Sequence, residues 1–218
     1  MKLHPKGQMA PSSNSTATMP ATDDEIREKY LERAIRELNS LAHDIYECDT
    51  CPRGNLMPVL GSGHPQADIF MLKHATMPSE VEEGVAFYGR AGGALMKSFK
   101  RLSIDPLSVY GTVSVKCPVD PGQASPECMA RVLDEIMIVK PRIVVAVGPE
   151  ALADLNDLDM PTAKLLEPKL GDIQKWTAHI KVLYVPDLDN SLDDDAAKRE
   201  FWSAFRKLGD WYAELPPY

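Results

Sequence analysis

The stretch that decides the fold is "SPECMARVLDEIMIVKPRIVVAVG", residues 125–148. Ser125 and Pro126 suit the cap and the first position of a helix, which we predict over 125–139. The segment "RIVVAV" (142–147) follows as a continuous apolar run and is closed by a glycine and a proline. An apolar run of this length is typical of a strand that is buried on both faces. The stretch therefore predicts one helix–strand unit of an α/β protein.

The same alternation extends along the chain. Three more apolar runs predict buried strands: "ADIFML" (67–72), "VYGTVSV" (109–115) and "IKVLYV" (180–185). Helical patterns are predicted from Thr22 to Ile45, where Thr22 and Glu25 have capping-box spacing, and over 92–102 and 193–213. Strands that alternate with helices predict a three-layer α/β/α fold with a central four-stranded, mostly parallel sheet.

Ligands of such folds bind outside the carboxyl ends of the strands. The predicted ends carry Lys73-His74, Val113-Ser114, Gly148 and Pro186-Asp187. We therefore expect the functional site at this edge of the sheet.

Composition limits the class of protein. Hydrophobic residues make up 44% and charged residues 26% of the 218 residues, as in a globular domain. Residues 1–21, rich in Pro, Ser and Thr, are predicted to be a disordered tail, and residues 22–218 a single domain. No apolar run is long enough for a bilayer, so we expect a cytoplasmic protein with no membrane partner. The formal net charge of −8 disfavours a protein that grips nucleic acid by overall charge.

The four cysteines suggest a metal site. Cys48 and Cys51 form a Cys-x-x-Cys pair after the first helix, Cys117 follows the second strand, and Cys128 begins a helix. Disulfides are rare in chains without a secretory signal, so we predict that the four thiolates converge on one metal centre. Zinc and an iron–sulfur cluster both accept four cysteines, and spacing alone does not separate them. The alternative is a buried Cys128 with three free thiols.

The order of these signals resembles the iron–sulfur (family 4-like) uracil-DNA glycosylases of the uracil-DNA glycosylase superfamily. "GVAFYGRAGG" (84–93) is similar to that family's Gly-x-Pro-Phe-Val-Gly-Arg-Ala-Gly, and "VYGTVSVKC" (109–117) to its Val-Tyr-Ile-Thr-Asn-x-x-Lys-Cys. "KPRIVVAVG" (140–148) resembles its next strand, and the likeness covers residues 40–212. The resemblance implies a [4Fe–4S] cluster rather than zinc. It also implies that Phe87 stacks on a base turned out of DNA.

The departures from this family fall where its chemistry should be. Lys73-His74-Ala75-Thr76-Met77 stands in place of the family's Gly-Glu-Ala-Pro-Gly. The asparagine that would bind the uracil edge is Val113, and the late histidine is Val185, followed by Asp187. Valine cannot hydrogen-bond to a base, and the loss of one donor to a developing anion typically costs ~10²–10³ in rate. We therefore expect that ordinary uracil excision has been lost.

The late loop and a group of cations affect any interaction with DNA in opposite directions. Residues 187–195 carry five aspartates, which we expect to repel a phosphate backbone, although the last three also suit a helix N-terminus. The cations that favour nucleic acid lie near the predicted mouth: Lys73, Arg90, Lys97, Lys100, Arg101 and Lys116. DNA and a protein partner both remain candidates.

Three hypotheses follow. The first is a divergent superfamily member that retains the fold and the cluster and acts as a binding or regulatory module in DNA processing. The second is an active DNA glycosylase or base-modifying enzyme for another or a modified base. In that case His74 is the acid–base group, Glu80 or Glu83 positions water, and Phe87, Val113, Lys73 and Asp187 surround the base. The third is a zinc-stabilised protein-interaction domain.

Overall fold

A computed structural model of the chain describes Met1 and residues 22–216. The predicted tail therefore lies outside the described residues except for Met1, and the single-domain boundary at 22–218 stays a prediction. The α-helices and strands of the described chain follow one another in this order: α1 (Asp23–Glu47), β1 (Ser62–Gly63), β2 (Ile69–Lys73), α2 (Pro78–Glu83), α3 (Arg90–Arg101), β3 (Val109–Val113), α4 (Pro126–Val139), β4 (Ile143–Val147), α5 (Pro149–Asp157), β5 (Ile173–Lys175), β6 (Lys181–Val185), α6 (Leu188–Ser191) and α7 (Asp195–Ala213).

The strands form one sheet in the order β1-β3-β2-β4-β6-β5. The four central strands are parallel and correspond to the four predicted strands, which confirms the α/β class and the parallel core. The sheet has six strands in the described chain, however, and not the four that we predicted. The additional strands, β1 and β5, are antiparallel and lie at the two edges.

The edge strands escape sequence analysis because they are short and are not apolar runs. β1 has two exposed residues, and β5 has three residues that are half-buried or exposed. Gly63 in β1 has a φ of 130°, and a Cβ atom there would lie 2.3 Å from the carbonyl oxygen of Val109. A glycine thus allows β1 to approach β3, through a local contact that hydrophobic periodicity does not report.

Each face of the sheet has its own core, because alternate side chains of a strand point to opposite sides. In β2, Ile69 and Met71 pack on one face with α3 and α7, whereas Phe70 and Leu72 pack on the other with α4 and α5. The two cores and the sheet between them make the predicted three layers.

The first helix begins as predicted. The Thr22 side chain accepts from the Glu25 N–H, and the Glu25 carboxylate accepts from the Thr22 N–H, which completes the capping box. Ala34, Leu41 and Ile45 are the buried residues of α1, which packs against α4. Among the described residues, no helix has the length and apolar character needed to cross a membrane.

Candidate functional site at the carboxyl ends of the strands

The carboxyl ends of the four parallel strands form one row. Lys73 of β2 is in register with Val113 of β3 and Val147 of β4, and Val147 is in register with Val185 of β6. The chain passes from β2 to β3 on one side and later crosses to β4 on the other, so the strand order reverses between β2 and β4. Crevices at such a reversal are the usual ligand sites of open α/β sheets. The structure thus brings the predicted strand-end positions to one edge.

The Lys73 side chain occupies the space beside Phe87. Its Nζ lies 2.7 Å from Oε2 of Glu80 and 3.0 Å from Oδ2 of Asp189. The same ammonium lies 5.5 Å from the centroid of the Phe87 ring, within the range of a cation–π contact. Lys73 is only 3% exposed and Glu80 is fully buried. Two predicted base-binding residues therefore lie next to each other, with the lysine ammonium on one side of the ring that was expected to stack on a base.

Glu80 is a structural clamp in this arrangement. Its Oε1 accepts from the Phe87 N–H at 2.5 Å, and its Oε2 accepts from the Met77 N–H at 2.7 Å as well as from Lys73. Both oxygens are therefore engaged. Glu83, the other predicted water-positioning residue, is exposed at the end of α2. The structure therefore places Glu80, but not Glu83, in contact with Lys73.

Phe87 is held in an uncommon backbone conformation, with a φ of 57°. Its ring packs onto the sheet at Gly111, where an added Cβ atom would lie 2.8 Å from ring carbon Cδ2. A small apolar cavity of about 220 Å³ is lined by Phe87, Gly111 and Met96, among others, and its lining does not include Lys73 or His74. The aromatic ring is thus seated in the core and is 9% exposed.

Val113 and Val185 belong to the same core as Phe87, and both are fully buried. They bring only aliphatic side chains to the end of the sheet. The positions where the resembled family carries polar groups therefore add no side-chain hydrogen-bond donor or acceptor here.

His74 points to a different partner. Its Nδ1 lies 2.7 Å from Oδ2 of Asp154 in α5, on the β4 side of the strand-order reversal. The His74 side chain is 25% exposed and that of Asp154 is 12% exposed. Within the described chain, no hydrogen bond is found for the other ring nitrogen, Nε2. Asp154 was not among the predicted site residues, and the signal available for it was an acidic residue among the buried apolar positions of α5.

The aspartates of the acidic late loop make hydrogen bonds and ion pairs with other residues of the protein. Asp187, predicted to bind a base, caps α6 by accepting from the Asn190 N–H at 2.7 Å. Asp193 forms a bidentate ion pair with Arg90, and the hydrogen bond from Arg90 lowers the pKa of the Asp193 carboxyl. Asp194 caps α7 through the N–H of Ala197. With Asp189 on Lys73, each of these aspartates has an identified structural partner.

Three of the four cysteines converge. The Sγ atoms of Cys51, Cys117 and Cys128 all lie within 4.8 Å of one another, and all three residues are buried. The Cys48 Sγ lies outside this group and 3.1 Å from the Thr50 hydroxyl oxygen. The structure therefore brings three of the four cysteines into a buried thiol cluster that could hold a metal, and it places the Cys48 Sγ outside that cluster. Hydrogen bonds from the Cys117 and Cys51 thiols lower the pKa of Cys128 to about 5, which favours a thiolate there.

The donor set fits a thiolate-binding metal centre. The Sγ atoms of Cys51 and Cys128 lie 3.6 Å apart, and cysteine thiolates are ligands of both zinc and iron–sulfur clusters. The neighbouring chain is well fixed, because Ser125 donates its N–H to Cys51 Sγ and Arg53 donates to the carbonyl oxygen of Cys48.

A buried polar network lies behind the cysteines. Lys116 Nζ lies 2.7 Å from Glu135 Oε2 and also donates to the Thr112 hydroxyl. The Tyr110 hydroxyl and the Thr112 hydroxyl both donate to Glu135 Oε1. Burial raises the pKa of Tyr110, so its hydroxyl remains a donor. The network joins β3, which leads to Cys117, to α4, which carries Cys128.

Comparisons with known proteins agree with this architecture. The family model "Uracil DNA glycosylase superfamily" matches residues 60–208. A type-4 uracil-DNA glycosylase of Archaeoglobus fulgidus is 24% identical over 195 residues, which cover 84% of this chain and 97% of that protein. A type-4 uracil-DNA glycosylase of Pyrobaculum aerophilum is 31% identical over 148 residues, which cover 63% of this chain and 72% of that protein. The chain thus belongs to the uracil DNA glycosylase superfamily.

Proposed function

We propose that this chain is a divergent superfamily member that no longer excises ordinary uracil and acts as a DNA-associated binding or regulatory module. The proposal combines family membership with a strand-end site in which Lys73 is ion-paired beside the Phe87 ring and the neighbouring strand ends carry valines. A protein partner within a DNA-processing assembly is part of the same proposal. A cytoplasmic location is consistent with the four free thiols, because reducing compartments preserve them.

The observation that carries the proposal is the position of the Lys73 ammonium. It lies between Glu80 and Asp189 and 5.5 Å from the centre of the Phe87 ring. A base that approached Phe87 from the side of Lys73 would have to displace this ammonium from both carboxylates. Because breaking a buried ion pair is strongly unfavourable, a uracil entering from that side would lose much of its binding free energy to this displacement.

The aliphatic strand ends add a second loss. Val113 and Val185 cannot pair with the polar edge of a bound uracil, and each buried polar group left unpaired costs about 1–3 kcal/mol. The absence of one donor to the departing base typically costs a further ~10²–10³ in rate. One unpaired group alone corresponds to roughly 5- to 150-fold in affinity, so the two losses together would strongly reduce uracil excision even though they do not simply add.

We assign a metal centre to Cys51, Cys117 and Cys128, with Cys48 as the fourth ligand. The resemblance in the cysteine pattern supports a [4Fe–4S] cluster, and a zinc ion is the alternative that the same thiol ligands would accept. When bound, either group would clamp the segment after α1 to β3 and α4. Iron and zinc analysis, together with the visible absorption spectrum, distinguishes the two. A zinc protein that binds no DNA would instead support a protein-interaction domain.

A second candidate function is supported by the contact between His74 and Asp154. A histidine oriented by a carboxylate is a common acid–base arrangement, and this one lies at the strand-order reversal. It favours an active DNA glycosylase or base-modifying enzyme that acts on a modified base. Both carboxylate oxygens of Glu80 already bind Met77, Phe87 or Lys73, so another group would have to position the water.

The deciding experiment offers the protein oligonucleotides that contain uracil or one of several modified bases and measures abasic-site formation. The expected result is no uracil release. Release of uracil would overturn the proposal, and release of a modified base that is lost in His74→Ala would establish the second candidate instead. Binding to single- and double-stranded DNA at low and high salt tests the DNA association, because phosphate contacts weaken with salt.

A further inference from the structure

We propose that a groove at the amino-terminal ends of β2 and β4 binds a nucleoside phosphate, either as a free nucleotide or as one unit of a nucleic-acid strand. Arg27 and Lys140 bind the phosphate, and the base stacks on the Tyr30 ring. The inference goes beyond the proposed function, because this groove lies at the opposite end of the strands from the Lys73 site.

The groove is an open cavity of about 460 Å³ between α1, the end of α4 and the segments that lead into β2 and β4. Asp68 and Arg142, which stand directly before these two strands, are part of its lining. Arg27, Tyr30 and Lys140 also line it, and all three are exposed. A cavity of this volume lies in the range of small-molecule sites, and a ligand can reach its side chains from solvent.

The lining of the groove is cationic, although the whole chain has a net charge of −8. It contains four cationic side chains and two carboxylates: Arg27, Arg33, Lys140, Arg142, Glu37 and Asp68. Arg33 lies 2.7 Å from Glu37, and Arg142 lies 3.0 Å from Asp68. Within residues 22–216, neither Arg27 nor Lys140 forms an ion pair. These two cations are therefore available to an anionic ligand.

The backbone at Lys140 gives a second reason to assign a ligand to the groove. Lys140 caps the end of α4 in the left-handed conformation, with a φ of 54°. Glycine is the usual residue in this conformation at a helix end, because a residue with a side chain is strained there. The lysine thus has a conformational cost that glycine would avoid. Binding of an anion by its ammonium would offset that cost.

The Tyr30 ring indicates which kind of anion the groove accepts. Tyr30 is 57% exposed and stands three positions after Arg27 in α1, so the two side chains lie on the same face of the helix. An exposed aromatic ring beside cations is the combination that binds nucleotides, since the ring stacks on the base while the cations bind the phosphate. The groove is therefore complementary to a nucleoside phosphate rather than to phosphate alone.

The test measures binding of the full chain to three probes: deoxyadenosine 5′-monophosphate and inorganic phosphate by calorimetry, and a fluorescein-labelled single-stranded oligonucleotide by anisotropy. We expect the nucleotide or the oligonucleotide to bind at least about fivefold more tightly than inorganic phosphate, which has no base to stack on Tyr30. Binding of the oligonucleotide alone identifies a strand as the ligand, and binding of the mononucleotide identifies a free nucleotide. Binding of neither would overturn the inference.

Two variants assign the binding to this groove. Lys140→Gly should weaken binding by about fivefold or more and leave Tm unchanged or higher, because glycine suits the backbone conformation at this position. A loss of binding in this variant is therefore not a loss of folding. Tyr30→Leu should weaken binding by a similar factor, whereas Tyr30→Phe, which retains the aromatic ring, should not.

Arg206→Gln is the control for charge, because Arg206 is an exposed arginine of α7 that does not line the groove. It should bind like the wild-type chain. Wild-type affinity in both Lys140→Gly and Tyr30→Leu, or an equal loss in Arg206→Gln, would contradict the assignment. Release of uracil from a uracil strand bears only on the proposed function, so the two ideas fail separately.

Discussion

Lys116 Nζ and Glu135 Oε2 lie 2.7 Å apart with both side chains almost completely buried, at 1% and 2% exposure. The pair joins the segment before Cys117 to the helix that carries Cys128. Two oppositely charged groups in so dry an environment are each costly without the other.

We therefore predict that Glu135→Gln destabilises the protein by about 3–5 kcal/mol, because it leaves the Lys116 ammonium buried without a carboxylate. Urea denaturation of the variant and of the wild-type chain measures this difference in the free energy of unfolding. Glu37→Gln is the matched control, since Arg33 and Glu37 are also 2.7 Å apart but stand on the open surface of α1. It should leave the urea midpoint nearly unchanged. Similar shifts in the two variants would mean that burial of the first pair has no energetic consequence.

The thiol cluster predicts a ranking among cysteine variants. Cys51→Ser or Cys128→Ser should abolish stoichiometric metal binding and lower Tm, because each removes one of the three converged thiolates. Cys48→Ser should weaken metal binding less, since its Sγ lies outside the converged group. Metal content per chain and thermal denaturation provide the measurements, with Asn55→Ala, at an exposed residue of the same loop, as a control. Full metal content in Cys128→Ser would refute the assigned centre.

The packing of the Phe87 ring against Gly111 predicts a steric effect of a larger residue at position 111. Gly111→Ala places a Cβ atom 2.8 Å from the ring, so the ring or the strand must shift. Overpacking of this kind typically costs about 1–3 kcal/mol, which chemical denaturation would detect. Gly122→Ala makes the same substitution where no atom lies within 4 Å of the added carbon, and it should be nearly neutral. A neutral Gly111→Ala would mean that Phe87 is not packed against the sheet.

The contact of His74 with Asp154 predicts a fixed tautomer. The carboxylate accepts from Nδ1–H, which leaves Nε2 of the neutral ring as the proton acceptor. In Asp154→Asn the amide can donate to or accept from the ring, and the tautomer ratio should change, as measured by the ¹⁵N chemical shifts of His74. If a modified base is released, His74→Ala should lower that rate by ~10²–10⁴. Unchanged ¹⁵N shifts in Asp154→Asn would show that the carboxylate does not orient the ring.

The parallel core was predictable because it depends on local pattern. Apolar runs such as 142–147 are buried wherever the chain places them, and the structure has strands there. The edge strands were not predictable, since Ser62–Gly63 pairs through a glycine contact with Val109 that has no hydrophobic signature. Hydrophobic patterns thus predict which segments are buried, but they do not predict which short segments pair at the edges of the sheet.

The location of the site at the carboxyl ends of the strands was predictable, but the contacts among its residues were not. Lys73 and Phe87 were predicted near a bound base, and the structure brings them together. The partners that define their state are remote in the chain: Asp189 lies 116 positions from Lys73. His74 and Asp154 are 80 positions apart, and no repeat or spacing links them. The late aspartates likewise suggested repulsion of DNA, because their partners in other elements could not be inferred.

The position of Lys73 between two carboxylates has a consequence for protein engineering. Lys73→Gly would leave Glu80 and Asp189 near each other as like charges without a cation between them, so that single change should be destabilising. Glycine can be accommodated at position 73 only together with a replacement that neutralises one of the two carboxylates.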